Sequence, residues 1–120
     1  MAFQLSITRS ARMAAAQVTA LASREEAEDI VKAIAAQTHD QGDKRLLIDL
    51  TDVVGTLDPD THRLLGELAF RYLSHLEKVA SLVPEEKITR VSEQAALARG
   101  LQLRVFADLT DAVEWLLAPL

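Results

Sequence analysis

Two carboxylates and one histidine lie close together near the middle of the chain, at Asp58, Asp60 and His62. Carboxylate oxygens beside an imidazole can hold a divalent cation. The same carboxylates also suit the start of a helix, where they accept backbone N–H bonds and stabilise the positive end of the helix dipole. We expect Asp58 or Asp60 to cap a helix in this way, and we predict no metal site.

No other group of side chains indicates catalysis, which needs a nucleophile with a base and an orienting group, or a metal cluster. The remaining histidines, His39 and His75, are scattered, and the chain has no cysteine. The four glycines (Gly42, Gly55, Gly66 and Gly100) form no phosphate-binding loop. We therefore predict a protein that is not an enzyme and uses no cofactor, in which Gly55 provides a tight turn.

The composition is that of a single globular domain covering residues 1–120. Thirteen basic residues against 18 acidic ones give a net charge of −5, which argues against a nucleic-acid partner. No apolar run approaches the roughly 18 residues needed to cross a bilayer. The amino terminus has no basic segment followed by an apolar one, so it is not a secretory signal. We expect a cytoplasmic protein without a membrane span.

The central feature of the sequence is a short apolar run, Leu-Leu-Ile-Asp-Leu at residues 46–50. Such a run is typical of a strand that is buried on both faces in the middle of a parallel sheet. A loop follows, and Pro59 then suits the first turn of a helix that we expect to end at about Leu76. Partners and ligands of open α/β sheets usually bind at the carboxyl ends of the strands, which is where this loop lies.

Strands and helices alternate along the rest of the chain. Phe3, Leu5 and Ile7 alternate with polar residues, as in a half-buried strand. Further strands are predicted at residues 13–21, 79–83 and 101–105, and further helices at 23–37, 85–99 and from Asp108 or Thr110 onwards. This order predicts an α/β fold: one mostly parallel sheet of about five strands, the first two antiparallel, with about four helices.

Local signals support several of these helix ends. Ser23 and Glu26 have the spacing of a capping box, in which each side chain accepts a backbone N–H of the first turn. Gly100 is the residue type expected just after a helix. Residues 38–44, which include His39, are predicted to form the loop that leads into the central strand.

The helix after Pro59 has one clear apolar stripe, formed by Leu65, Leu68, Ala69, Tyr72, Leu73 and Leu76. Phe70 lies well round the helix from this stripe, on the side of Arg63 and Ser74. We expect Phe70 to face solvent, either as ordinary surface or as a contact for another subunit.

Three segments resemble the SpoIIAA-like group of the STAS superfamily, whose fold is also compared with lipid-binding CRAL-TRIO domains. These are residues 46–50, residues 78–83, and the ending at 103–106 with 111–116. The last is the most specific, because a strand ending in Val-Phe before a helix with Ala-x-x-Trp-Leu recurs across the group. The resemblance implies a bacterial, non-enzymatic regulatory domain that binds a protein partner or a second copy of itself as a homodimer.

The resemblance also implies a switch, because STAS anti-sigma-factor antagonists carry a phosphorylated serine in the loop after the central strand. Asp58 matches the aspartate of that loop, but Pro59 stands where the serine would be. Thr61 is the candidate phosphorylation site that remains, since Thr56 is the only other hydroxyl nearby.

Two functions follow as alternatives. The first is docking of a protein partner through the loop and the following helix, by Gly55, Thr56, Asp58, Asp60, Thr61, Arg63 and Phe70. The second is a carrier or sensor of a small apolar ligand, as the CRAL-TRIO comparison implies. The small side chains Ala14, Ala15 and Ala16 would leave room for such a ligand, although they would equally allow close helix packing.

Overall fold

The strand predicted to be central lies in the middle of a five-stranded sheet. The strands lie side by side in the same order in which they occur in the sequence. A computed structural model describes residues 3–120. The strands are β1 (Phe3–Arg9), β2 (Ala14–Leu21), β3 (Arg45–Val54), β4 (Lys78–Leu82) and β5 (Leu103–Phe106). Strands β1 and β2 are antiparallel, and every later pair is parallel. The predicted α/β sheet is therefore confirmed.

Four α-helices cover the sheet: α1 (Arg24–Gln41), α2 (Pro59–Leu73), α3 (Val91–Arg99) and α4 (Leu109–Leu117). Helices α1 to α3 pack side by side on one face, as right-handed crossovers between neighbouring parallel strands require. Helix α4 packs on the other face, against β3, β4 and β5. None of the helices described for residues 3–120 is long and apolar enough to cross a bilayer.

Because strand side chains alternate between faces, the two helix layers create two cores. Leu46 and Ile48 of β3 belong to the larger core under α1 to α3, whereas Leu47 belongs to the smaller core under α4. The even-numbered residues of β2 also face the larger core. On the other side of these strands, Gln17 and Thr19 are exposed, whereas Ala15 packs on the smaller core.

Two predicted helix ends are wrong by about one turn. Helix α1 continues through residues 38–41, so His39 lies in its last turn and not in a loop. The Thr38 hydroxyl donates a hydrogen bond to Ile34 O at 2.9 Å inside the helix, and α1 ends where Gly42 adopts a left-handed conformation. Helix α2 ends at Leu73, although Leu76 is still buried in the larger core.

The segment predicted as one helix over residues 85–99 is divided in the structure. A single 3₁₀ turn (Glu85–Lys87) is followed by extended backbone at Ile88, and α3 begins only at Val91. Two contacts fix this start, because Glu93 Oε2 accepts the Val105 N–H at 3.0 Å and Arg90 donates to Val105 O at 2.9 Å. These hydrogen bonds attach the beginning of α3 to strand β5, which a continuous helix from residue 85 would prevent.

Helix α4 is held at its carboxyl end by two cations from the first residues of β3 and β4. Lys78 Nζ donates to Trp115 O at 2.7 Å and to Ala118 O at 3.0 Å. Arg45 Nη1 donates to Leu116 O at 2.6 Å and to Ala118 O at 2.8 Å. These bonds supply donors to the last carbonyls of the helix, of which Trp115 O also accepts the Ala118 N–H at 3.3 Å. They fix α4 at the amino ends of the strands, opposite the end where the candidate site lies.

Candidate functional site

We use the term carboxyl edge for the end of the sheet where the parallel strands β2 to β5 finish. The loop predicted to bind a partner leaves the sheet here, directly after β3. Gly55 adopts a left-handed φ of 97°, and the Ala22 N–H donates to Val54 O at 2.8 Å beside it. The predicted tight turn at Gly55 is thus confirmed, and it directs the loop towards the start of α2.

Asp58 caps α2, as one of the two predicted carboxylates was expected to do. Its Oδ1 accepts the Thr61 N–H at 2.7 Å, and the pKa of Asp58 is lowered by this bond and then by the Thr61 hydroxyl. Asp60 does not cap the helix but forms an exposed ion pair with Arg63 at 3.0 Å. Among residues 3–120, no three side chains of metal-ligating type are grouped for a metal ion.

The loop residues differ sharply in accessibility. Gly55, Thr56, Asp58 and Asp60 are exposed, whereas Thr61 has only 3% of its surface exposed. Thr61, the residue proposed from sequence as a phosphorylation site, is therefore buried, and its hydroxyl helps to stabilise the Asp58 carboxylate.

Two exposed apolar side chains stand next to this loop, and sequence reasoning did not select them. Leu21 and Val54 are paired in the β2–β3 register, and each is 65% exposed. They point away from the larger core, since Ala20 and Val53, the residues before them, pack on that core. A signal existed in the sequence, because Leu21 continues the exposed series of Gln17 and Thr19 with a period of two.

Phe70 does not face open solvent as predicted. The ring is half-buried and packs against the larger core. The Arg99 guanidinium from the end of α3 lies 5.6 Å from the ring centre, and Arg99 also pairs with Glu67 at 2.8 Å. The expectation is wrong because α3 packs beside α2 and covers this side of the helix.

A cavity of about 280 Å³ lies at the carboxyl edge, between the sheet and helices α1 to α3. Its wall is mainly apolar, with Ile30, Ile48, Leu50, Leu65, Val83 and Val105 among the lining residues. Gly55, Thr56 and Leu57 of the loop also line it. The room comes from Ala20 and Ala27 rather than from residues 14–16, which do not line the cavity.

Several polar groups interrupt this apolar wall. Glu26 Oε2 and Thr89 Oγ1 are buried, and neither has a hydrogen-bond partner among residues 3–120. His62 is half-buried in the wall, and burial lowers its pKa more than the nearby Asp58 carboxylate raises it. Lys87 is also a lining residue, and its Nζ donates to Val53 O at 2.9 Å. The lining is thus mainly apolar, with a few polar residues among it.

The unsatisfied Glu26 oxygen corrects the predicted capping box. Ser23 is the N-cap of α1, and its hydroxyl accepts the Glu26 N–H at 3.1 Å as expected. The reciprocal bond is not made by Glu26 Oε2, which is buried without a partner among residues 3–120. Only half of the motif therefore forms.

Comparison with known proteins identifies the family. A sequence model of the SpoIIAA-like family matches residues 13–117. No curated protein sequence matches the chain. Among solved structures, an anti-sigma factor antagonist from Mycobacterium paratuberculosis superposes with a TM-score of 0.64 at 16% identity, over 95% of this chain and 93% of the other.

Two further structures agree in fold. An uncharacterized protein with a SpoIIAA-like fold from Shewanella loihica gives a TM-score of 0.60 at 19% identity, over 96% of this chain and 94% of the other. A variant of RsbS from Moorella thermoacetica gives 0.57 at 14% identity, over 94% of each chain. The family match and the shared sheet order lead to one conclusion: this chain belongs to the SpoIIAA-like family and has the STAS fold.

Proposed function

We propose that this protein is a non-enzymatic regulatory module that docks a protein partner in the cytoplasm at its carboxyl edge. The observation that carries the proposal is the exposed apolar pair Leu21 and Val54 beside the loop at residues 55–61. Similar structures include an anti-sigma factor antagonist and a stressosome component, and we extend their kind of role, binding another protein, to this chain.

The pair has the chemistry expected at the centre of a docking surface. Completely burying a valine or leucine side chain stabilises by about 1.5–3 kcal/mol, so burying the exposed part of each would contribute about 1–2 kcal/mol. An exposed ion pair, Asp60 with Arg63, lies at the start of α2, which follows the loop. Charges at the rim of an interface change mainly the rate of association and the choice of partner.

The proposed surface therefore consists of Leu21, Val54, the exposed loop residues Gly55, Thr56 and Asp58, and the Asp60–Arg63 pair. Phe70 is at most peripheral, because α3 covers much of its ring. Thr61 is left out because its side chain is buried. A phosphate on its hydroxyl would require the first turn of α2 to open.

The test compares Val54→Asp with the matched control Leu97→Asp, which changes an exposed leucine on α3, 43% exposed and outside the proposed surface. Self-association is measured by analytical ultracentrifugation, and partners are quantified after cross-linking in a native extract. We expect Val54→Asp to weaken association at least about tenfold through the loss of about 1.4 kcal/mol. Equal association by both variants, with unchanged melting temperatures, would contradict the proposal.

The cavity supports a second candidate function, as a carrier or sensor of a small apolar molecule. Its apolar wall lies at the same edge of the sheet as the loop, so an occupant would contact Gly55, Thr56 and Leu57. A native mass spectrum of gently purified protein tests this directly. An added mass of a small organic molecule supports the candidate, and its extraction by solvent identifies the compound. Protein that stays at its sequence mass through mild purification counts against a resident ligand.

A further inference from the structure

The net charge of the chain is concentrated at the carboxyl edge. Four connections follow strands β2 to β5 there, and with the first turn of the helix after each they comprise residues 22–27, 55–62, 83–94 and 107–112. These segments contain nine acidic residues and three basic ones, a charge of −6. Since the whole chain carries −5, all its other residues together carry only +1.

The helix dipoles offset part of this charge but not all of it. The amino ends of α1 to α4 lie at this edge, and the positive end of a helix dipole is equivalent to about half an elementary charge. Four helices therefore offset about two of the six negative charges. An excess of about four negative charges remains at the edge.

Two acidic side chains without an ion pair stand next to the exposed apolar pair. Asp52 precedes Val54 by two residues on β3, and the register pairs these residues with Thr19 and Leu21 on the exposed side of the sheet. Glu25 lies in the first turn of α1, four residues after Leu21. Both carboxylates are exposed, and neither forms a salt bridge among residues 3–120.

The three cations in these segments do not reverse the sign of the edge. Arg90 forms an ion pair with Glu93 at 2.9 Å. Lys87 donates to Val53 O at 2.9 Å, and two glutamates directly precede it in the 3₁₀ turn. Arg24 is followed by two glutamates in the first turn of α1. Each cation therefore has at least one carboxylate beside it in the same turn of the chain.

We infer that the partner docked at the carboxyl edge is cationic, an inference that rests on the docking function proposed above and adds the chemistry of the partner. The partner presents a protein segment in which lysines or arginines flank one or two apolar side chains. The apolar side chains cover Leu21 and Val54, and the cations face the surrounding carboxylates, as in an interface with an apolar centre and a polar rim.

The size of the molecule makes this selection local. Its principal extents are 33 × 28 × 26 Å, whereas the Debye length is about 8 Å at physiological ionic strength. A partner at the carboxyl edge therefore experiences mainly the charges of that edge and little of those at the opposite end of the sheet. Binding should consequently weaken as the salt concentration rises.

The experiment measures binding of dye-labelled peptides to the full chain by fluorescence anisotropy. The lysine peptide has leucine and isoleucine at its centre and four lysines on each side. The glutamate peptide has glutamates in place of the lysines, and the serine peptide keeps the lysines but has two serines at its centre. In about 0.02 M salt we expect the lysine peptide to bind at least about tenfold more tightly than the glutamate peptide, and less than about threefold more tightly in about 0.5 M salt. It should bind about fivefold more tightly than the serine peptide, because only its apolar centre can cover Leu21 and Val54.

Three variants locate the charge that attracts the peptide, and the melting temperature of each confirms that it is folded. Asp52→Lys and Glu25→Lys each change a carboxylate beside the apolar pair. Glu114→Lys is the matched control, because it changes the net charge equally at an exposed glutamate in the last turn of α4, at the opposite end of the sheet. Asp52→Lys and Glu25→Lys should each weaken binding of the lysine peptide about fivefold in low salt, and Glu114→Lys less than about twofold.

Several results would overturn the inference without deciding the docking function itself. Equal binding of the lysine and glutamate peptides would show that the edge does not select a cationic partner. Equal weakening by Glu114→Lys and Asp52→Lys would show attraction to the net charge of the chain and not to the carboxyl edge. Equal binding of the serine peptide would remove the apolar centre from the inferred segment. If no peptide binds the folded wild-type chain, the inferred partner chemistry is wrong, and the Val54→Asp comparison described above decides separately whether docking occurs.

Discussion

Replacing Gly66 by alanine is the sharpest test of how the helices pack over the cavity. Gly66 is buried on α2 where that helix packs closely against α3. A Cβ atom there would lie 2.6 Å from Ala95 Cβ and 3.0 Å from Ala96 N, and nearer still to the Ser92 carbonyl oxygen. Since two of these atoms belong to the α3 backbone, no side-chain rotation relieves the overlap, and α3 must move by about 1 Å to reach ordinary contact distance.

The expected loss of stability is the difference between two effects. Overpacking a well-filled core costs about 1–3 kcal/mol, and a clash with backbone atoms belongs at the upper end of that range. Alanine is more favourable than glycine inside a helix by about 1 kcal/mol. We therefore expect Gly66→Ala to lower the free energy of unfolding by about 2 kcal/mol, equivalent to about 8 °C in melting temperature for a domain of this size.

The assay is urea denaturation followed by circular dichroism. Ala36→Gly, on the exposed face of α1, is the matched control that measures the propensity effect alone. Adding Ala95→Gly to the Gly66→Ala variant removes one overlap but leaves the contacts with the α3 backbone, so it should restore less than half of the loss. A Gly66→Ala variant that is at least as stable as the wild type would contradict this reasoning. It would show that α2 and α3 lie farther apart than these distances indicate, and that Ser92 stands elsewhere than in the cavity wall.

Two further predictions use buried titratable groups. Lys78→Met should lower the free energy of unfolding by about 2 kcal/mol in the same assay, because it removes the charged donor to Trp115 O and Ala118 O and weakens the attachment of α4; an unchanged midpoint would contradict the proposed attachment. Burial lowers the pKa of His62, so the unfolded chain binds protons more readily, and stability should fall as the pH drops below the usual histidine value of 6.5. His62→Gln should flatten this dependence between about pH 5 and 7 in denaturation midpoints. Part of the dependence of stability on pH should persist in this variant, because burial also lowers the pKa of His75.

The sheet was predictable because each of its strands carries a clear local pattern. The apolar run at residues 46–50 identifies the central strand, and alternation along β1 marks a half-covered edge. Regular alternation with helices then leaves few topologies to consider. Helix ends were less predictable, since Thr38 is a poor helix residue whose burial and 2.9 Å contact with His75 Nε2 arise only in the folded chain.

The candidate site was predictable only where a local rule decides it. Asp58 caps α2 and Gly55 makes the turn, as their types and positions indicated. The exposure of Leu21 and Val54 depends on which parts of the sheet α4 leaves uncovered, and the burial of Phe70 depends on where α3 lies. Both the exposure of this pair and the burial of Phe70 result from tertiary packing, which a short stretch of sequence does not determine.

Several failures of local rules lie beside one edge of the sheet. Glu26 does not complete its capping box, and the residue lines the cavity. The expected helix over residues 85–99 is interrupted, and the interruption places Thr89 in the same wall. Leu21 and Val54 leave apolar surface in water at that edge. Sequences depart from locally favourable choices mainly where function requires it. The carboxyl edge is therefore where both docking and ligand binding should be tested first.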